Sequence, residues 1–266
     1  MSATQDIMAT YWRLPALARN MATAVFFLSV SVYTGLLSGR LLIHHPYYLW
    51  QLPPQVWRLV TSFLITEPQL GIIFDTYFVY QYLGQMEMGM GARFARREDV
   101  LWYLMVVGSF ILTLNHILGF GYSFFLQGLI IAMCYTVTQD QRGMKANFYI
   151  ITIPAQLSPY CMIAINLVMP NGVGKIPLQI MGLVSAHLYD FLTRLWPEFG
   201  GGRNLLPTPA FVSNLVRTPR VLQRTYGTAI RSGTREPDNS TGTTTGAQRG
   251  PLPDSWRSRG PGQRLG

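Results

Sequence analysis

Charge is what this sequence has little of: Asp, Glu, Lys and Arg make up 12% of its 266 residues, about half the share usual in a soluble domain. With 49% of residues hydrophobic, that scarcity excludes a single soluble globule and indicates an all-α polytopic membrane protein. Cysteine is scarcer still. Cys134 and Cys161 both lie in apolar runs, which excludes a disulfide framework. The first 20 residues carry Asp6, Arg13 and Arg19 without a continuous apolar core, so no cleavable signal peptide is expected there. There is no internal repeat, and no cofactor or metal motif is expected.

What the chain does have is long apolar runs. Met21 to Ile43, Val100 to Leu118, Tyr122 to Thr138, Phe148 to Met169 and Ile176 to Leu195 are each of a length read as a membrane crossing. A sixth, Leu70 to Met86, is interrupted by Asp75 and Gln81. The stretch Trp57 to Thr66 is about half the needed length and reads as re-entrant or interfacial. Basic residues stay on the cytoplasmic side of short loops. Arg13 and Arg19, then Arg93, Arg96 and Arg97, then Arg142 and Lys145 all fall on one side only if six spans are counted with both termini cytosolic.

Beyond Pro197 the composition turns to Gly, Thr, Pro and Arg, with ten Arg against four acids. Such a segment cannot bury enough apolar surface to offset chain entropy. The expected organisation is therefore a cytosolic arm over 1–20, a membrane domain over 21–197 and a disordered basic tail over 198–266. Without aromatic interleaving or a folded basic domain, the tail is not expected to bind nucleic acid; its charge suits the anionic lipid bilayer surface. Phe211 to Arg217 is expected to lie on the membrane as a short basic turn.

Polar residues inside apolar spans are costly and are candidates for function. Asp75, Gln81, Asn115 and Gln127 are the candidates to line a wet cavity. Gly35 and Gly39 form a GxxxG on the first span, a candidate packing face. Asp190 and Arg194 stand four apart and are expected to pair. Arg58, beside Trp57, reads as an interface anchor with a snorkelling guanidinium.

Trp57-Arg58 before the second span, Glu87 after it, and Gly182 with Ala186-His187 in the sixth resemble the rhomboid superfamily. Within it, Gln51 to Arg58, Gln127 and the series from Gly182 to Trp196-Pro197 resemble the Derlin branch. The resemblance implies a rhomboid-like bundle of six transmembrane helices. Rhomboid proteases place a serine in GxSG at the start of span four and pair it with the span-six histidine. Registered on Tyr135, those four positions hold Phe124 to Gln127, so Leu126 stands at the nucleophile. Asp75 stands where the proteases carry an oxyanion-donating Asn, and an ionised carboxylate would repel that charge. The resemblance thus implies a pseudoprotease.

The chain's last residues, Trp256, Gly260, Gly262, Arg264, Leu265 and Gly266, resemble an SHP box, which docks on an AAA ATPase of the valosin-containing-protein type. Here the aromatic stands four residues before the first glycine. The Derlin resemblance implies endoplasmic-reticulum-associated degradation in the endoplasmic reticulum membrane. It also implies an ER ubiquitin-ligase complex and misfolded substrates as partners, with homo- or hetero-oligomers open. Two alternatives remain at the level of sequence: a rhomboid-type serine protease using Ser123 and His187, and a small-solute transporter.

Overall fold

In a computed structural model the described residues are 3–216, apart from 52, 90–93, 95, 142, 149–150, 169–171 and 201. They are mostly helical. The helices are α1 Ala3–Arg13, α2 Ala16–Tyr33, α3 Pro46–Trp50, α4 Arg58–Thr61, α5 Gly71–Glu87, α6 Arg97–Leu118, α7 Leu126–Asp140, α8 Ser158–Val168, α9 Ile176–Asp190, α10 Trp196–Phe199 and α11 Ala210–Val216. A hairpin of β1 Lys145–Phe148 and β2 Ile151–Pro154 pairs antiparallel, with Lys145 opposite Pro154 and Phe148 opposite Ile151.

The arrangement is centred on α7, whose residues from Gly128 to Thr138 are buried without a break. An amphipathic helix shows a polar face; α7 shows none, because α5, α6, α8 and α9 all pack against it. The outer helices show the reverse of a water-soluble surface. Phe27 on α2, Ile73 and Tyr77 on α5 and Ile117 on α6 are each more than half exposed.

By length and composition, α2 and α6 could each cross a membrane. The other apolar runs are helical for 17 residues in α5, 15 in α7, 11 in α8 and 15 in α9. A helix of about 20 residues is the usual requirement, so helix length alone does not deliver six crossings. The fifth run differs most from expectation. Its first part is spent on the hairpin, and β2 ends at Pro154, whose fixed φ and missing N–H favour a break before α8 begins at Ser158.

Two further expectations are corrected. Gly35 and Gly39 do not form a helix face: α2 ends at Tyr33, and Gly35 adopts φ +77° in the turn that follows. The chain after Pro197 stays ordered well beyond it. The Trp102 indole donates to the Leu206 carbonyl at 3.3 Å, Thr208 donates to Asp99 at 2.7 Å, and Phe211 meets Trp102 edge to face. Val212 is fully buried, so α11 lies on α6 rather than free on a lipid surface. Residues 217–266, including the motif from Trp256 to Gly266, lie outside the described residues.

The helix seam that matters most is α7 on α9. A Cβ added at Gly182 would come within 2.0 Å of the Gly128 carbonyl oxygen, and one at Gly128 would meet the Leu178 carbonyl at 3.0 Å. Backbone atoms cannot swing aside as a side chain can. Gly182→Ala is therefore expected to lower stability by about 2 kcal/mol or more, as overpacking does. Gly84→Ala, whose new methyl would meet only Ala18 Cβ at 3.8 Å, should be neutral or stabilising, since alanine is the better helix former. Thermal unfolding of both variants in detergent checks the contrast.

Candidate functional site

At the N-terminal ends of α7 and α9 a chain of polar groups crosses the bundle. Lys175 Nζ pairs with Glu67 Oε2 at 2.9 Å, and the Glu67 backbone N–H donates to Asp75 Oδ2 at 3.0 Å. Gln127 Nε2 donates to Asp75 Oδ1 at 2.7 Å, and Gln179 Nε2 donates to Gln127 Oε1 at 3.3 Å. Asp75 is 5% exposed and Gln179 1%. Buried polar groups cost stability unless hydrogen-bonded, and here each link satisfies the next while tying α5, α7 and α9 together.

Several buried atoms near this network have no protein partner: Gln179 Oε1, Ser62 Oγ, Thr66 Oγ1 and His44 Nδ1. His44 and Ser62 adjoin Phe125, whose ring meets His44 edge to face and Phe63 at a tilt, and whose N–H donates to the Ser62 carbonyl at 3.0 Å. Such atoms are ordinarily satisfied by water. Burial, reinforced by the neighbouring His45 and His116, holds the His44 imidazole below its ordinary pKa.

Of the four residues singled out as polar candidates, the structure brings Asp75 and Gln127 into direct contact. Asn115 serves a different purpose. Its side chain accepts from the Tyr122 N–H and donates to the Tyr122 carbonyl, closing the loop from α6 to α7. Gln81 is partly exposed on α5, outside the network. Glu67, Lys175 and Gln179 were missed. Gln179 carried a usable signal, since it is a polar residue within the apolar run of the last long helix. Glu67 and Lys175 sit in loops, where a charge is unremarkable and only the fold shows their pairing.

Leu126 is buried at the start of α7. His187 lies toward the other end, where its Nδ1 is 2.8 Å from the Tyr135 hydroxyl. From Leu126 to Tyr135 the helix rises by roughly 13 Å at about 1.5 Å per residue. Ser123 precedes α7, and its carbonyl accepts from the His44 N–H at 3.0 Å. Ser123 thus lies before the first residue of α7, whereas His187 faces Tyr135, nine residues into it. A nucleophile and its base need hydrogen-bond reach, and this pair lacks it.

The remaining motif residues act as fasteners. Glu87 Oε2 accepts from the Leu17 and Ala18 N–H groups at 2.8 and 3.1 Å, capping α2, while Oε1 meets Arg97 Nε at 3.0 Å. Arg58 does not snorkel. It is 3% exposed, donates to the carbonyls of Arg40 and Ile43 at 2.6 and 2.9 Å and to Gln55 at 2.6 Å, and lies over the Tyr48 ring. The five donors of a guanidinium suit such a loop clamp. Trp57 beside it is half exposed, and Ala186 is fully buried on the α7 seam. The expected Asp190–Arg194 pair is present at 3.9 Å.

The model of the Der1-like family matches residues 14–210. Among curated proteins, the chain is 27% identical to Derlin-1 of Arabidopsis thaliana over 220 residues, covering 79% of this chain and 77% of that protein. It is 27% identical to human Derlin-1 over 243 residues, covering 89% and 93%, and 23% identical to Derlin-2.1 of Zea mays over 236 residues, covering 82% and 89%.

The network yields a test of its own. Asp75→Leu removes the acceptor for both Gln127 and the Glu67 N–H and should destabilise by about 1–3 kcal/mol, the cost of stranded buried donors. Adding Gln127→Leu removes one of those donors, so the double variant should lose less than the sum of the singles. A double-mutant cycle on detergent unfolding midpoints measures that coupling.

Proposed function

The chain belongs to the Der1-like family, and from that premise we propose that it is a non-catalytic, rhomboid-shaped component of endoplasmic-reticulum-associated degradation. In this reading α2, α5, α6, α7, α8 and α9 cross the endoplasmic reticulum membrane, with both chain ends cytosolic. The body helps misfolded proteins back to the cytosol, working with an ER ubiquitin-ligase complex. The residues from Trp256 to Gly266 recruit an AAA ATPase of the valosin-containing-protein type, which supplies the pulling force.

The observation that carries the proposal is the polar network where a rhomboid protease would hold its nucleophile. Leu126 offers no nucleophilic atom. The adjacent Gln127 is engaged with Asp75 and Gln179, and an acid beside a developing oxyanion opposes acyl transfer. The separation of Ser123 from His187 along α7 supports the same conclusion.

Helix length supports an assisting rather than a chemical role. The 15 residues of α7 and of α9 each span about 22 Å, against a hydrocarbon thickness of roughly 30 Å. Short helices are accommodated by local thinning of the bilayer. A thinner bilayer with a hydrated polar seam lowers the barrier to moving a polypeptide across it.

Two experiments divide the proposal. Purified full-length chain carrying Gly262→Ala and Leu265→Ala should lose co-purification of the AAA ATPase while remaining membrane-inserted; undiminished co-purification removes the recruitment role. A serine-reactive fluorophosphonate should leave the chain unlabelled, whereas labelling lost in Ser123→Ala would replace the pseudoprotease with an enzyme.

A further inference from the structure

The first turn of α2 holds a buried arginine that no carboxylate neutralises. Arg19 is 9% exposed. Its Nη1 donates to the Tyr11 and Trp12 carbonyls at 3.5 and 3.2 Å, and its Nε donates to the Asn20 side chain at 3.4 Å. The guanidinium lies 5.2 Å from the centroid of the Tyr11 ring and 4.4 Å from that of Trp12. A guanidinium has five N–H donors. Among the described residues no acid pairs with Arg19 and no acceptor meets its Nη2. Glu87, which caps the same turn, is taken by the Leu17 and Ala18 N–H groups and by Arg97.

Arg19 lines a cavity of about 520 Å³ between α1, α2 and α5. Glu87 at the end of α5 caps the start of α2, and Tyr33 at the end of α2 donates to the Thr66 carbonyl ahead of α5. The two helices therefore run antiparallel, and Arg19 stands at one end of the cavity with Ile73 toward the other. Between them the wall is built by Thr23, Phe26 and Phe27 of α2 and by Thr76 and Tyr77 of α5. Thr23 and Thr76 spend their hydroxyls on the Arg19 and Ile72 carbonyls at 2.7 and 2.6 Å, so neither calls for a polar ligand. From Arg19 to Phe27 the helix rises by about 12 Å, which fits within the roughly 15 Å of hydrocarbon in one leaflet.

A cation at one end and an apolar wall along the rest is the complement of an amphiphile. A helix laid in this groove would leave Nη2 facing side chains in hydrocarbon. A phospholipid brings a phosphate oxygen to that nitrogen and a chain to the wall below. We propose that the groove binds one anionic glycerophospholipid, with its phosphate on Arg19 Nη2 and one acyl chain lying between α2 and α5 along Phe27 and Ile73.

The neighbouring charges set the headgroup. Arg13 is exposed at the end of α1, and Trp12 beside it is exposed as well, as suits an aromatic residue at a membrane interface. Asp6 is exposed about two turns earlier and does not line the cavity. A choline or ethanolamine headgroup would bring its own cation toward Arg13 and Arg19, whereas a headgroup without one would not. The preference is about fivefold, the worth of one arginine near an anionic surface. In the orientation proposed above this is the cytosolic leaflet, where anionic lipids are concentrated; the leaflet rests on that reading, but the site does not.

Full-length chain, purified in detergent and stripped of lipid, is titrated with dioleoyl-phosphatidylglycerol or dioleoyl-phosphatidylcholine, and bound lipid is counted by native mass spectrometry. One phosphatidylglycerol should be retained per chain, about fivefold more tightly than phosphatidylcholine. Arg19→Gln should abolish the preference and Arg19→Lys should keep most of it. Thr76→Phe, which fills the groove and strands no hydrogen-bond partner, should lose both lipids. On the unaltered chain, phosphatidylglycerol with a photoreactive acyl chain should label residues 22–27 and 73–80, and unlabelled phosphatidylglycerol should compete better than phosphatidylcholine.

Equal affinity for the two lipids, or no lipid retained, would overturn the proposal. So would a preference that survives Arg19→Gln, which would then belong to the basic residues beyond 216, or labelling confined to other helices. A lipid-free dimer joined through α2 and α5 would assign the groove to a second copy instead. The labelling depends on no variant folding. Neither the ATPase nor a misfolded substrate enters these measurements, so failure here is distinct from failure of the degradation role.

Discussion

The contact between Gly128 and Gly182 sets the spacing on which the rest of the bundle depends. Where the backbone of α9 rests on the carbonyl of Gly128, no side chain separates the two helices. This close approach places Gln179 against Gln127 on one side of the crossing and His187 against Tyr135 on the other. A single methyl at the crossing would push both pairs apart. Glycine is needed here for its missing Cβ alone, since both residues sit in regular helix, and its helix propensity cost of about 1 kcal/mol is offset by the contacts it permits.

A second set of ties holds the helices that do not meet at that crossing. Glu87 ends α5, caps the start of α2 and reaches the first residue of α6, so one carboxylate joins three helices. At the start of α2 the N–H groups have no intrahelical partners, and a negative charge is also favoured there by the helix dipole. Arg58 does the equivalent work for irregular chain, converting the carbonyls of Arg40 and Ile43 from unsatisfied groups into anchor points. Glu87 and Arg58 therefore have mechanical work in this fold whatever the chemistry.

Some of this was legible in the sequence. A polar residue in an apolar run must find a partner, which is why Asp75 and Gln127 stood out without a structure, and the i,i+4 spacing of Asp190 and Arg194 was enough to pair them. Family membership was legible too, from residues scattered over nearly 200 positions rather than from one motif. Other readings failed because apolar composition does not fix conformation. The run from Phe148 to Met169 is long and greasy, yet β-branched residues and Pro154 turn its first part into a strand. Gly35 and Gly39 have the spacing of a helix face but fall beyond the helix end. The polar composition after Pro197 concealed three apolar anchors, Leu206, Phe211 and Val212, which α6 accommodates. Arg58 was misjudged because its acceptors are backbone carbonyls of a distant loop, which no side-chain pattern announces.

The seam of Asp75, Gln127 and Gln179 has a property that an apolar seam of the same shape would lack. Each of its hydrogen bonds joins groups able to exchange one partner for another, a carboxylate and two primary amides. A peptide segment entering a bilayer carries backbone N–H and C=O groups that hydrocarbon cannot satisfy. Offered this seam, those groups would trade one hydrogen bond for another instead of losing it outright, and the buried Gln179 Oε1, Ser62 Oγ and Thr66 Oγ1, which have no protein partner, would add to the supply. Apolar packing at Gly182 and exchangeable polar contacts beside it are complementary demands. The first would keep the helices from parting if the second gave up their partners to a polar guest, as the proposed role requires.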